Sequence, residues 1–458
     1  MECFVLKAFE LAERLNPHYY RPKYVEIDKK IEISNYESKR INDFAKVICG
    51  PFGSSIKVED YKNKGIPLIR ISNIDDNQQL SDQNITFISE DLAGKLKSYK
   101  IKEGDLIISQ RGTLGLIAKV PSFFKNAIIS ANFIAIKNIK EVSADYLKIV
   151  LSSKYGQMQI ERRISGQVQT KITTDDIKYL KIPILPQKVR SYIVEIIESA
   201  ISQKIQKEQE SNKLLNSFEE IVFKEIGLKL PEQKQKAIFS INVSKLEGAI
   251  NPERYAKGFK LDASFNWIEI KDVGIINRET FTPSKEEPGT EYSLLRIDDL
   301  ENYPQTAVIR DIKGKDISGV ILKVEQSDVL IARLGPTLEN KKFIIVPKAK
   351  KPLVASTEFI DLRCNEKNNP IFVISILKTD FYKNLMIQKA RGATPSRRRL
   401  SHEDFAKLPF PKVDLNKQNK IAEEIAKTIK IAGNFKKESK IVLNEAKAEI
   451  DKLILGEK

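Results

Sequence analysis

Residues 165–183 read SGQVQTKITTDDIKYLKIP, and residues 391–411 read RGATPSRRRLSHEDFAKLPFP. Both stretches follow one chemical plan: a glycine-containing polar and cationic loop, an acid pair opening a short amphipathic segment, then an apolar residue and a proline. Ile177, Leu180, Ile182 and Pro183 align with Phe405, Leu408, Phe410 and Pro411 at a constant offset of 228 residues, with Asp175-Asp176 opposite Glu403-Asp404. An offset of nearly half the chain suggests an internal repeat, and a repeat decides the architecture. Three more pairs follow in the same order: LNPHYYRPKY (15–24) with INPERYAKGF (250–259), PLIRISNID (67–75) with SLLRIDDLE (293–301), and GDLIISQRGTLG (104–115) with SDVLIARLGPTL (327–338). Short strand and turn patterns recur in any α/β protein. Ordered matches at offsets of 223 to 235 are better explained by two copies of one unit.

The 458 residues have room for several cores, and a composition 41% hydrophobic and 30% charged suits a globular chain. No apolar run approaches the roughly 20 residues that span a bilayer, and MECFVLKAFELAERLN (1–16) lacks the pattern of a secretory signal, so no membrane association and a cytoplasmic location are expected. Three cysteines (Cys3, Cys49, Cys364) and two histidines (His18, His402) fit neither a disulfide framework nor a zinc site. No metal site is expected. Lys+Arg exceed Asp+Glu by 77 to 61, a formal charge of +16, which favours polyanionic partners.

Runs such as GIPLIRISNI, GDLIISQ and NAIISANFIAIKNI, followed by the helical text SADYLKIVLSSKYGQMQIERRI, predict a mixed α/β unit over residues 1–184. The next segment, 185–230, reads as one long helix opened by Pro186 and closed by Gly227, with Val189, Ile193, Ile196, Leu214, Phe218 and Ile221 on its apolar side and the polar QKEQESN interrupting it. A second unit spans 231–411. A second long helix, 412–458, carries Ile421, Ile425, Ile429, Val442 and Ile450 on its stripe, with Gly433-Asn434 as a candidate bend. About 40 helical residues reach roughly 60 Å, longer than a compact domain needs. Two such helices paired antiparallel, coiled-coil fashion, would form a rod that joins and separates two pseudo-repeated units.

No phosphate-binding G-x-x-x-x-G-K-[ST] loop and no methyltransferase cofactor loop is present. The acid pairs Asp75-Asp76, Asp175-Asp176 and Asp298-Asp299 read as turn and helix caps rather than nuclease sites. No catalytic residue is assigned. Nucleic-acid contacts suit the sequence better. Arg111, Gly112 and Thr113 stand where a strand ends in a glycine-flanked turn, and Arg333 takes a similar place in the second unit. An arginine there can read a guanine edge, clamp a phosphate, or simply order its loop. Arg70 and Arg296 are equivalent across the repeat, with bracing of an internal turn as the alternative use. The loops of the opening stretches supply Gln167, Gln169, Thr170 and Lys171 in the first unit and Arg391, Arg397, Arg398 and Arg399 in the second.

Two divergent α/β units, each with LIRISNI-like and GDLIISQRGTLG-like motifs and each ending on an apolar-proline step before a long helix, resemble the specificity subunit of type I restriction-modification systems. The resemblance implies two target recognition domains, each reading half of a bipartite, asymmetric sequence in double-stranded DNA. It also implies spacer helices that hold two modification (methyltransferase) subunits, with restriction/translocase subunits completing the complex. It implies no cofactor in this chain: S-adenosylmethionine would bind the modification subunits, and ATP and Mg the restriction subunits. The second unit departs from the pattern, because IARLGPTLENKK replaces ISQRGTLG, and this puts the role of Arg333 in doubt. A coiled-coil scaffold or a general nucleic-acid-binding protein is the alternative reading.

Overall fold

A computed structural model describes residues 16–33, 36–75, 77–124, 126–164, 170–228, 261–300, 309–392, 394 and 397–456. The chain divides into two compact units, Met1–Ile205 with Ser439–Lys458, and Gln206–Glu438. Both are mixed α/β. In the first unit the strands are β1 (Ser38–Arg40), β2 (Lys46–Cys49), β3 (Ile66–Ile69), β4 (Thr86–Ile88), β5 (Leu106–Ser109), β6 (Ile117–Lys119), β7 (Ile128–Ile129), β8 (Phe133–Lys137) and β9 (Lys181–Pro183). They form an antiparallel sheet ordered β2-β8-β5-β6, a smaller sheet β4-β3-β7, and a β1-β9 ladder. In the smaller sheet β3 runs antiparallel to β4 and parallel to β7.

The second unit repeats this plan. Its strands are β10 (Trp267–Glu269), β11 (Gly274–Asn277), β12 (Thr280–Phe281), β13 (Glu291–Leu295), β14 (Arg310–Lys313), β15 (Ile321–Lys323), β16 (Val329–Ala332), β17 (Phe343–Ile345), β18 (Leu353–Ser356), β19 (Phe359–Cys364) and β20 (Pro409–Pro411). The order β11-β19-β16-β17 reproduces the first unit's main sheet, and β14-β13-β18 reproduces its smaller one, down to the single parallel pairing of β13 with β18. The pair β12-β15 extends the smaller sheet. The duplication read in the sequence is a duplication of topology. The proposed counterpart of residues 15–24, at 250–259, lies outside the described residues.

The main sheets are buried on both faces, which is why their strands read as unbroken apolar runs rather than alternating ones. Successive side chains point to opposite faces. Leu106 and Ile108 of β5 pack with the helices α1 (Ala144–Ser152) and α2 (Lys154–Arg163), whereas Ile107 packs with Ile69 and Ile129 of the smaller sheet. In the second unit Val329 and Ile331 pack with the helices α6 (Pro370–Leu377) and α7 (Asp380–Lys389), and Leu330 faces Leu295 and Leu322.

The acid pairs of the opening stretches are caps. Thr173 and Asp176 form a reciprocal capping box at the start of α3 (Thr174–Lys178), and Ser401 Oγ accepts the Asp404 N–H at 3.0 Å at the start of α8 (His402–Ala406). Each such cap is worth about 1 kcal/mol. Asp75 Oδ1 likewise accepts from the Asn77 and Gln79 amides, and Asp299 is ion-paired with Arg310.

The segment expected as one helix over 185–230 is two, α4 (Gln187–Asn216) and α5 (Phe218–Ile226). At Ser217 the hydroxyl donates to Leu214 O, and α5 turns Phe218, Val222, Phe223 and Ile226 into the core of the second unit. Gly227, at φ 79°, ends α5 as the punctuation predicted. The last helix, α9 (Leu415–Leu455), is uninterrupted through Gly433-Asn434, so the candidate bend does not break it. Within the second unit α4 and α9 run antiparallel, Lys207 pairing with Glu438 at 2.7 Å and Ser211 Oγ donating to Ala432 O at 2.9 Å. The polar stretch that interrupts the apolar stripe therefore supplies cross-helix bonds. Within the first unit Tyr192 Oη donates to Glu449 at 3.2 Å.

The predicted helix-interface residues do more than cover one another. Ile193 and Ile450 are buried in the core that holds β5 and α1, with Val189 and Ile196 packed against it. Ile421, Ile425 and Phe218 are buried in the second unit's core, with Leu214 and Ile429 against it. Ile221 and Val442 are half-buried.

Candidate nucleic-acid interface

In the first unit the chain leaves β5 at Gln110, a buried residue whose backbone and side chain tie three segments together. Its N–H donates to Asn132 O at 2.8 Å, its carbonyl accepts the Ile172 N–H at 3.2 Å, and its Nε2 donates to Ala131 O at 2.7 Å and to Cys49 Sγ at 3.1 Å. Arg111, Gly112 and Thr113 follow as an exposed turn. Gly112 at φ 73° and Gly115 at φ 74° supply the left-handed backbone it requires. Ser109 Oγ closes the turn, donating to Thr113 O and accepting from Leu116 N–H.

Thr170 and Lys171, exposed, thus lie one bond away from the Arg111 turn, through Ile172 and Gln110. Arg70 belongs to the same strand end, since Ser130 N–H donates to Ile69 O at 3.0 Å. Its guanidinium lies 5.5 Å from the Tyr61 ring centre, while its Nε is buried without a hydrogen bond. Among the described residues the Arg111 and Lys171 side chains have no partner. Gln167 and Gln169 lie outside the described residues.

The same geometry recurs in the second unit with a different charge arrangement. Arg333 N–H donates to Glu358 O at 3.0 Å, and its carbonyl accepts from Leu400 N–H at 2.9 Å. These bonds make Arg333 the counterpart of Gln110, not of Arg111. The pairing of 104–115 with 327–338 already sets Gln110 opposite Arg333, although Gln110 is not among the candidate site residues. Where the first unit has its glycine turn, the second begins the short helix Gly335–Glu339, with Gly335 N–H donating to Arg398 O at 2.8 Å. Arg399 makes a two-pronged pair with Glu358, at 3.2 and 2.8 Å, and Arg391 pairs with Asp404 at 3.2 Å. Arg278 pairs with Glu403 at 2.7 Å. The Arg397 side chain on this edge and Arg296 after β13 are exposed and unpaired among the described residues. Burial first, then the Arg333 and Arg278 charges, hold the His402 pKa below its ordinary value.

Among the described residues, Arg111, Gly112, Thr113, Thr170 and Lys171 thus meet at one end of the first unit's main sheet, and Arg333, Arg391, Arg398 and Arg399 at the matching end of the second. The first end has free cations, the second several cations already matched by carboxylates. Among the described residues no group of three or more His, Cys, Asp or Glu could hold a metal ion, and no helix is long and apolar enough to cross a membrane.

Residues 33–217 match the family model of the type I restriction modification DNA specificity domain. Over these residues the chain is similar to that domain family. A comparison with curated protein sequences gave no match. Among solved structures, a chain from a study of complex assembly and conformational transition of the type I R-M system aligns over 92% of this chain and 97% of its own, at 14% identity and a TM-score of 0.50, a likeness of fold. The HsdS subunit from Thermoanaerobacter tengcongensis aligns over 92% and 97% at 15% identity and a TM-score of 0.35. The type I S subunit from M. genitalium aligns over 92% and 96% at 13% identity and 0.42.

Proposed function

We propose that this chain is the specificity subunit of a type I restriction-modification complex, and that each unit is a target recognition domain reading one half of a bipartite DNA sequence. The observation that carries the reading is the repeated sheet end: two units of one topology present the same convergence of loops with different side chains, as two readers of different half-sites require. Phosphate contacts from Arg111, Lys171 and Arg397 would set register, and base discrimination would fall to side chains such as Thr113, Thr170 and Arg333 on or beside those loops. The helices α4 and α9 separate the domains and hold two modification subunits, with restriction/translocase subunits joining them in the cytoplasm. In this reading the chain supplies no catalysis. S-adenosylmethionine, ATP and Mg serve the partner subunits.

Co-expressing the chain with its modification subunits and mapping methylated adenines in the host DNA tests this. A single bipartite motif with a fixed gap supports the reading. Methylation that is absent, or that follows one undivided motif, contradicts it.

A further inference from the structure

The first unit's sheet end carries one side chain that the phosphate contacts do not use. Phe52 is 83% exposed, more than any other large apolar side chain among the described residues. Its loop is nonetheless tightly built. Gly50 N–H donates to Phe133 O at 2.8 Å, and a Cβ on Gly50 would lie 2.2 Å from Ser130 O, so only glycine allows this approach. Pro51 is buried, and Ser55 N–H closes a short turn onto Phe52 O at 2.8 Å. An anchored stem thus holds a bare phenyl ring in water, an arrangement that opposes hydrophobic burial and does nothing for the core. The stem leaves β2 beside Cys49, whose sulfur accepts from Gln110, the residue that roots both Arg111 and the 170–172 segment.

We infer that Phe52 is an apolar wedge that packs against a base step of the duplex held on this edge. The inference rests on the reading of the edge as a DNA face. Free cations on the same sheet edge as an exposed ring suit a polyanion with apolar faces between its charges: the cations take phosphates, and the ring takes the stacked bases. Among the described residues the second unit has no counterpart at this place. In the second, β11 leads to Arg278, already paired with Glu403, and to Phe281, which is buried.

The test measures binding of the full chain to a fluorescein-labelled 30-base-pair mixed-sequence duplex by anisotropy over a range of KCl, for wild type, F52A, F52W, R111A and K171A. F52A should bind about tenfold more weakly at every salt concentration with an unchanged slope of log K against log salt, because the ring displaces no counterion. R111A and K171A should each flatten that slope by about 0.9. F52W should restore affinity, and its added emission should be quenched by DNA. Circular dichroism melting should not distinguish F52A from wild type, since the ring is exposed. Wild-type affinity in F52A, with R111A still flattening the slope, overturns the wedge and leaves the DNA face standing. Slopes indifferent to both R111A and K171A overturn the DNA face itself.

Discussion

Tyr155 and Tyr382 hold the same bond in the two units: Tyr155 Oη donates to Lys181 O at 2.9 Å, and Tyr382 Oη donates to Pro409 O at 2.6 Å. Each ties a helix of its unit to the short strand that leads into a long helix. The surroundings differ in one respect. Lys181 O also accepts from Gln159 Nε2 at 2.9 Å, whereas the residue matching Gln159 is the buried Met386. Removing the hydroxyl leaves Pro409 O without that donor but leaves Lys181 O with one. Y382F should therefore cost about 1–3 kcal/mol and Y155F well under half as much. Urea unfolding checks this. The sole tryptophan, Trp267, lies in the second unit and reports the first value, and circular dichroism reports the second.

A pH dependence follows from Asp361. It is buried in β19 at a position where β8 carries Ala135, and it accepts from Asn277 Nδ2 at 2.8 Å. Burial and the nearby Asp328 push its pKa up to about 7. A carboxyl whose folded pKa is raised is stabilising when protonated, so its contribution is complete below the ordinary carboxylate range and is lost as pH rises from there to about 7. D361N should make the Trp267 unfolding transition less dependent on pH and raise stability at pH 8 by a few kcal/mol. Equal midpoints for the variant and wild type at pH 8 would contradict this account.

Ile193 and Ile425 belong to the domain cores, 0% and 1% exposed. An aspartate at either site would bury an unpaired carboxylate beside β-sheet side chains. I425D should lower the midpoint of the Trp267 transition by several kcal/mol equivalents, and I193D should lower melting seen by circular dichroism. Normal melting with loss of modification-subunit binding alone would mean that these side chains serve only an interface between helices.

The ion pairs of the second unit give an electrostatic prediction. Arg399 is half exposed and held by Glu358. E358Q keeps the volume, releases the guanidinium and removes one negative charge, at a stability cost of about 0–1 kcal/mol. DNA affinity at low salt should rise severalfold, and log K should depend more steeply on log salt. An unchanged slope would place Arg399 away from the phosphates.

The duplicated topology was legible because caps, apolar runs and strand-ending prolines are local signals, and they recur in order. Side-chain equivalence at the loop roots was less so. Gln110 and Arg333 share backbone partners and stand opposite one another when GDLIISQRGTLG is laid over SDVLIARLGPTL, but the shared guanidinium drew the comparison to Arg111, one residue on. The pairing of Arg399 with Glu358 and of Arg391 with Asp404 joins segments that sequence spacing does not bring together. Phe52 gave no signal, since GPFG reads as a turn next to a core aromatic and only the folded chain shows the ring in water. The amphipathic stripes of α4 and α9 predicted burial correctly but could not say that the cover includes the sheets' own side chains.

The central claim, that each unit reads its own half-site, is tested most directly by a hybrid. Residues 1–184 are exchanged for the matching unit of a related specificity subunit, the hybrid is co-expressed with the modification subunits, and methylated adenines are mapped. The account predicts a motif with one half replaced, and with the other half and the gap between them retained. A hybrid that methylates the original motif, or one in which both halves change together, would contradict it.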